Sequence, residues 1–184
     1  AAGAPVVITY PSTVVGPPSG DRRGITAEGW EPLLRFGASI TFEGGMAMID
    51  VRDVADVHAA AMEPGRGPRR YLCGGELVPF ADMVTALSEA SGRRVRRVPI
   101  RPSVLRGAGR LADAASRLLP LPPSISYEAA WLLTRPTPTD DSVTLSELGL
   151  TWRPPRQALA DAVRAEAGVG DPSDHAPPSS DGRV

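Results

Sequence analysis

The sequence predicts an α/β protein, because short apolar segments typical of strands alternate along the chain with longer segments of helical period. Residues 6–10 are an apolar, β-branched run between prolines, typical of a strand buried on both faces. Residues 79–91 carry apolar side chains on one helical face, and residues 95–100 again resemble a strand. Alternation alone does not select one α/β fold.

The predicted elements follow one another in regular order. The predicted strands are residues 6–10, 39–48 (interrupted by Gly44 and Gly45), 70–73 and 95–100. The predicted helices are a weak one at 28–36, one from Asp53 to a stop at 63–65, one from Pro79 to Gly92, two at 105–119 and 125–133, one from Thr144 to Gly149, and one from Pro155 to Gly168. Residues 168–184 have almost no large apolar side chain and are expected to be a disordered tail.

Capping residues set the predicted helix ends. Asp53 is expected to be an N-cap, because its carboxylate can accept backbone N–H groups. Pro79 suits the first turn of a helix, and Gly92 suits the position just past its end. Thr144 and Glu147 have the spacing of a capping box.

Composition excludes several classes of function. The chain has 184 residues, 42% of them hydrophobic, and a net charge of −1, which fits a globular protein and argues against nucleic-acid binding. No apolar run approaches the roughly 18 residues of a membrane span, so a membrane is not expected as a partner. The single Cys73 excludes an internal disulfide and is most simply explained by a reducing cytoplasm. All twenty basic residues are arginines, so this polypeptide has no lysine amine for chemistry.

Three segments match the pattern of one family in the right order. PSTVVGP at 11–17 fits a Pro-(Thr/Ser)-x-x-x-Gly-Pro loop. MIDVRDVADVHAAA at 48–61 fits an (F/M)-(V/I)-x-V-x-D-V-A-x-A-H element, with Val57 replacing a small residue. RYLCGG at 70–75, the helix from Pro79 and ELG at 147–149 fit the substrate-side end. In these segments the chain resembles extended short-chain dehydrogenases, the NAD(P)-dependent epimerase/dehydratase and dihydroflavonol-reductase-like proteins. The resemblance covers about residues 1–167.

The resemblance implies the C-terminal part of a Rossmann-like NAD(P)-binding fold with a small α/β substrate domain. It implies NAD or NADP as cofactor, faced by Pro11, Ser12 and Val14, and a small-molecule substrate. The family's Gly-rich pyrophosphate turn and its Tyr-x-x-x-Lys pair are not found in this sequence, so no catalytic residue is assigned. The chain alone is therefore expected to be inactive, with a missing N-terminal half or a second copy as its partner.

Three residues are expected to contact the substrate if the resemblance holds. Asp50 and Arg52 lie at a strand–helix junction where the family's substrate region contributes, and Arg96 lies in the basic cluster at 93–101. An arginine fork suits bidentate contact with phosphate. A local ion pair is an equal alternative for Asp50 and Arg52, and a charged guard on a solvated edge strand is the alternative for the cluster.

Other notable residues are predicted to be structural. GAGRLA at 107–112 formally matches the dinucleotide fingerprint but does not follow a strand directly, so its glycines are expected to be close-packing sites in a helix. His58 is expected to be a satisfied core or boundary histidine, and Cys73 a small core residue. Neither has partners with the spacing of a metal site.

The leading hypothesis is the substrate-side portion of an NAD(P)-dependent oxidoreductase or epimerase/dehydratase that acts on a carbinol or ketone. Two alternatives stay open. One is a non-enzymatic binding or regulatory module, and the other is a complementing subunit of a split enzyme.

Overall fold

A computed structural model describes residues 6–18, 25–65, 67–116 and 126–169. Within these ranges strands and helices are interspersed as far as residue 99 and four helices follow, which confirms the α/β class. The strands are β1 (Val7–Pro11), β2 (Thr13–Val15), β3 (Ala38–Thr41), β4 (Gly45–Asp50), β5 (Arg69–Cys73), β6 (Glu76–Pro79) and β7 (Arg96–Pro99). The helices are α1 (Ile25–Phe36), α2 (Val51–Ala61), α3 (Phe80–Ser91), α4 (Pro102–Ala115), α5 (Tyr127–Leu133), α6 (Ser142–Leu148) and α7 (Pro155–Val169).

The strands pair mainly in parallel. β1 runs parallel to β5, with Pro11 opposite Cys73. β2 runs parallel to β4, and β6 is antiparallel on the other edge of β4. β3 and β7 form a separate parallel pair. No helix in the described ranges is long and apolar enough to cross a bilayer.

Two apolar cores lie on opposite faces of β4. Successive side chains of a strand point to opposite faces, so Met48 enters one core and Ile49 the other. The first core packs β2 and β4 against α1, α3 and α7, and its buried members are Val15, Trp30, Met48, Ala86, Leu87, Ala158, Leu159, Ala162 and Val163. The second lies between α2 and strands β4 and β5, and its buried members are Ile49, Val57, Tyr71 and Cys73. The buried Cys73 confirms its predicted role as a small core residue.

The first strand is not buried on both faces as predicted. Ile8 is 39% and Tyr10 is 46% exposed, and they lie on the same face of β1. Val7 points to the opposite face and packs against the second core, so in the described part of the chain only one face of β1 is covered. β1 pairs only with β5 among the described strands.

Two predicted helix starts are wrong. Asp53 is not the N-cap of α2; the N-cap is Asp50, whose side chain accepts a hydrogen bond from the Arg52 backbone N–H. Thr144 does not open α6, because Asp141 precedes the helix and the Thr144 hydroxyl donates to the carbonyl of Leu72 instead. In both cases a partner distant in sequence engages the residue chosen as a cap.

Other predicted boundaries hold more closely. Pro79 precedes α3, and Gly92 ends it in the left-handed conformation at φ +66°, as predicted. The predicted strand 39–48 is divided into β3 and β4, because the backbone turns at Gly44 with φ +155°. α7 ends at Val169, one residue beyond Gly168, and residues 170–184 of the predicted tail lie outside the described residues.

The remaining predicted helices keep their places with shifted ends. α4 begins at Pro102, where proline suits the first turn, and ends at Ala115; residues 117–125 lie outside the described residues. Gly109 is buried, and a Cβ there would lie 2.7 Å from the Tyr127 Cα, which confirms the close-packing prediction for this glycine. Gly107 borders open space, so the same prediction is wrong for it.

Replacing Leu159 with alanine tests the first core. Leu159 is fully buried, so Leu159→Ala should lower the free energy of unfolding by about 2–5 kcal/mol through lost burial and a residual cavity. Leu132, 57% exposed on α5, is the matched control, and Leu132→Ala should change that free energy by about 0.5 kcal/mol or less. Chemical denaturation of both variants measures the difference. Equal effects would contradict this placement of the core.

Candidate cofactor loop and its supports

Ser12 links β1 to β2 and is held by the end of β5. Its backbone N–H donates to the Cys73 carbonyl at 3.1 Å, and its hydroxyl donates to the Gly74 carbonyl at 2.7 Å. The preceding residue, Pro11, is exposed at the carboxyl end of β1, and Val14 is half-buried in β2 opposite Ile49. Ligands of open α/β sheets bind outside the carboxyl ends of parallel strands, and β1 and β5 end together here.

A tight turn at Gly74 and Gly75 follows β5. Gly75 has φ +68°, and a Cβ there would lie 2.0 Å from the Met48 carbonyl oxygen. A Cβ at Gly74 would lie 1.7 Å from the Thr139 Oγ1. Only glycine fits both positions, because one backbone and one side chain already occupy the space.

Asp141 fixes this turn from the other side. One of its carboxylate oxygens, Oδ2, accepts the Gly75 backbone N–H at 2.8 Å and the Trp152 indole N–H at 2.9 Å. The other, Oδ1, is buried and has no hydrogen-bond partner among the described residues. Sequence reasoning missed Asp141, and no local signal distinguishes it from the neighbouring, exposed Asp140.

Cys73 lies directly under the loop as an un-ionised thiol. Burial, followed by the negative charge of Asp141, raises the pKa of Cys73 to about 11. A thiol is nucleophilic only as a thiolate, so Cys73 serves packing at neutral pH.

Asp50 and Arg52 form the local ion pair that the sequence left as an alternative. Arg52 donates to Asp50 through Nε at 2.9 Å and through Nη2 at 2.6 Å, and Nη2 also reaches Asp161 of α7 at 2.8 Å. Burial alone would raise the pKa of Asp50, but the hydrogen bonds and charge of Arg52 outweigh it and lower that pKa. The Asp50 side chain is fully buried, which favours a structural role; its contact with substrate stays a prediction.

A second arginine–aspartate group, missed from sequence, fastens the segment before α7. The Arg153 backbone N–H donates to Asp53 at 2.8 Å, and its guanidinium contacts both Asp53 and Asp56. Asp53 is therefore a buried partner of a residue 100 positions away. Together with Arg52 and Asp161, this group ties α2 to α7.

The structure places Arg96 away from these groups. It lies exposed on β7, which pairs only with β3 among the described strands, whereas Asp50 ends β4 in another sheet. Arg97 donates to the Thr85 hydroxyl at 3.2 Å, and Arg93 to the Leu34 carbonyl at 3.4 Å. β7 is thus an exposed, charged edge strand, and the substrate role of Arg96 stays a prediction.

His58 lies at the rim of a cavity beside β1. Its Nε2 is 2.9 Å from the Thr9 hydroxyl, so the ring is satisfied as predicted, although it is exposed and not part of the core. The cavity has a volume of about 630 Å³ and is lined mainly by apolar residues of β1 and the end of α2, among them Val7, Ala61 and Met62.

Two curated proteins are related to the chain in sequence. Sterol demethylase protein B of Methylococcus capsulatus is 31% identical over 168 residues, covering 88% of this chain and 49% of that protein. A putative dihydroflavonol 4-reductase of Synechocystis is 29% identical over 175 residues, covering 88% of this chain and 48% of that protein. The chain therefore spans about half the length of the curated relatives it matches. No family model matches it.

Solved structures share the fold over a similar span. The protein gox2253 has a TM-score of 0.65 at 25% identity, with 89% of this chain and 49% of that one covered. WbmH of Bordetella bronchiseptica, solved with NAD+, has a TM-score of 0.61 at 18% identity, with 92% and 48% covered. Gre2 of Candida albicans, solved with NADPH, has a TM-score of 0.55 at 17% identity, with 89% and 44% covered.

These likenesses confirm the resemblance. The chain is a relative of the NAD-dependent epimerase/dehydratase and dihydroflavonol-reductase-like proteins, and its α/β fold is that of Rossmann-type NAD(P)-binding reductases and epimerases.

Replacing Asp50 with asparagine tests the ion pair through pH. A carboxylate with a lowered folded-state pKa contributes stability above its unfolded-state pKa, and that stability is lost as the pH falls through the folded-state value. The unfolding free energy of the parent should therefore fall below about pH 4, and Asp50→Asn should reduce that fall. Chemical denaturation across this range measures it. Glu128→Gln, at an exposed carboxylate of α5, is the control; equal pH dependence in parent and Asp50→Asn would refute the assignment.

Proposed function

We propose that the chain is the substrate-side portion of an NAD(P)-dependent oxidoreductase or epimerase/dehydratase that acts on a carbinol or ketone. The observation that carries this proposal is the Ser12 loop, anchored at the shared carboxyl end of β1 and β5. Its support is the relationship to reductases and the fold likeness to proteins solved with NAD+ and NADPH.

The loop has the chemistry to meet a carboxamide. The Ser12 hydroxyl uses its hydrogen on Gly74, which leaves its oxygen lone pairs free to accept an amide N–H. Pro11 is exposed beside it, and Val14 lies two residues further on. Bound NAD or NADP would supply hydride transfer at its nicotinamide ring, and these residues would orient that ring.

Proton transfer is proposed to come from another part of the complete protein. Tyr10, Tyr71 and Tyr127 are not followed four residues later by lysine, and the chain contains no lysine. The chain alone is therefore proposed to be inactive. The region around β3, β7, α4 and α5 is proposed to be the small substrate domain, with Arg96 on its exposed edge.

The partly uncovered β1 supports a missing neighbour. Val6 just before β1, Ile8 and Tyr10 on β1, and Leu72 on β5 are all more than one third exposed, although parallel strands are ordinarily covered on both faces. Among the described strands β1 pairs only with β5, which leaves its other edge without a described partner. A parallel strand from the rest of a longer protein would pair with this edge. A complementing subunit would use the same edge, with the other half supplied by a separate chain.

Titration with NADH and NADPH tests the proposal. The chain alone should show no saturable micromolar binding by nucleotide fluorescence, whereas the chain joined to the sequence encoded upstream of Ala1 should bind and transfer hydride. Co-purification with a separate N-terminal half, with activity only in the complex, would identify the complementing subunit. Saturable binding by the chain alone would overturn the proposed incompleteness of the site.

Replacing Ser12 with alanine tests the loop itself. In the active, complete protein Ser12→Ala should weaken dinucleotide affinity roughly 5- to 10-fold, the value of one hydrogen bond. Ser39→Ala is the control, because among the described residues the Ser39 hydroxyl donates to the neighbouring Ile40 carbonyl within β3, away from the Ser12 loop. Unchanged affinity in Ser12→Ala would remove the loop from the cofactor site.

A further inference from the structure

Four consecutive residues at the end of β5 connect α6 to the Ser12 loop. The two outer residues are held by the start of α6: the Thr144 hydroxyl donates to the Leu72 carbonyl at 2.7 Å, and Asp141 accepts the Gly75 N–H. The two inner residues, Cys73 and Gly74, present the carbonyls that accept the N–H and hydroxyl of Ser12. Both carbonyls that hold Ser12 therefore lie between two points fixed by α6.

Asp141 is buried with an incomplete set of hydrogen-bond partners among the described residues. The residue is only 7% exposed, its Oδ1 lacks a partner among the described residues, and its Oδ2 has only two neutral donors, Gly75 and Trp152. A buried polar oxygen without a hydrogen-bond partner is unfavourable for folding, so stability alone does not explain Asp141 at this position. Asp141 instead contributes to the geometry of the turn, because its side chain accepts the Gly75 N–H and holds it in place.

The turn is closely packed on both sides. The Met48 carbonyl lies against Gly75 and the Thr139 side chain against Gly74, which leaves little space, so we expect a shift at Gly75 to be passed to the Gly74 carbonyl. That carbonyl is the acceptor of the Ser12 hydroxyl.

We infer that Asp141 is a positioning residue for the Ser12 loop and acts through Gly75 and Gly74. The effect of Asp141 on cofactor binding rests on the proposed function. The effect of Asp141 on the position of the loop does not rest on that function, and it can be measured on the 184-residue chain without any cofactor.

Amide hydrogen exchange measures the effect on the loop. Asp141→Ala should accelerate exchange about tenfold at Gly75, which loses its acceptor, and at Ser12, whose N–H donates to Cys73. The Leu87 amide in α3 should keep its rate and so report that global stability is unchanged. Asp141→Asn, which retains an acceptor oxygen, should restore slow exchange at both amides. Acceleration at Gly75 alone would overturn the inference.

Asp140→Ala is the matched control. Asp140 is the neighbouring carboxylate and accepts the Ser142 N–H at the start of α6, but it does not contact the β5 turn. It should leave Gly75 and Ser12 exchange unchanged. If it accelerates Ser12 as much as Asp141→Ala does, general loosening of α6 is the cause and the inference fails.

Trp152→Phe is a second test of the positioning role of Asp141, for use if Asp141→Ala does not fold. Trp152→Phe removes one of the two donors to Asp141 and keeps an aromatic ring in place. It should accelerate Gly75 and Ser12 together by about threefold, a fraction of one hydrogen bond. Acceleration at Gly75 alone, or at neither amide, overturns the inference.

Dinucleotide affinity of the complete protein separates the two proposals. If Ser12→Ala weakens binding and Asp141→Ala does not, the positioning inference fails. If both amides exchange faster in Asp141→Ala and neither variant alters binding, the inference about the loop stands and the proposed cofactor role of the loop fails.

Discussion

The backbone groups at the end of β5 find their partners outside the helices and strands of their own segment, because the strand stops at Cys73 and both Cys73 and Gly74 are buried. Ser12, Thr144 and Asp141 provide those partners. Three segments far apart in sequence therefore meet at one short stretch of backbone. The Ser12 loop, the start of α6 and the Gly75 turn owe their positions to this requirement.

β4 organises the rest of the molecule by its pleat. Met48 and Ile49 send adjacent side chains into two different cores, so α3 and α7 are held on one face and α2 on the other. Asp50 ends the strand and caps α2, and Arg52 joins it to α7 through Asp161. Apolar burial supplies the attraction between these layers, while the ion pairs determine how α2 and α7 are aligned.

β1 is only partly covered in the described residues, and the chain spans about half the length of the curated relatives it matches. A parallel strand gains most of its stability from neighbours on both edges and helices on both faces, and β1 has only part of this environment in the described residues. On the other face of β1, Val7 packs against the second core and borders the apolar cavity beside His58. In the described residues, therefore, the Ile8 and Tyr10 face of β1 is the uncovered one.

Local pattern was sufficient for the α/β order, for helix ends set by Pro79 and Gly92, and for Cys73 as a core residue, because these depend on neighbours within a few positions. The motif at 11–17 likewise identified the loop that the structure anchors through Ser12. The choices of Asp53 and Thr144 as caps were wrong, because Arg153 and Leu72, 100 and 72 residues away, engage their side chains. Asp141 could not be found from sequence, since the Gly75 N–H it accepts lies 66 residues away. Sequence determined the α/β order and the places of the helices, but it missed β2 and β6, which are short and are held by their pairing with β4. Only the tertiary structure decided which polar groups lose water and so which side chains must satisfy them.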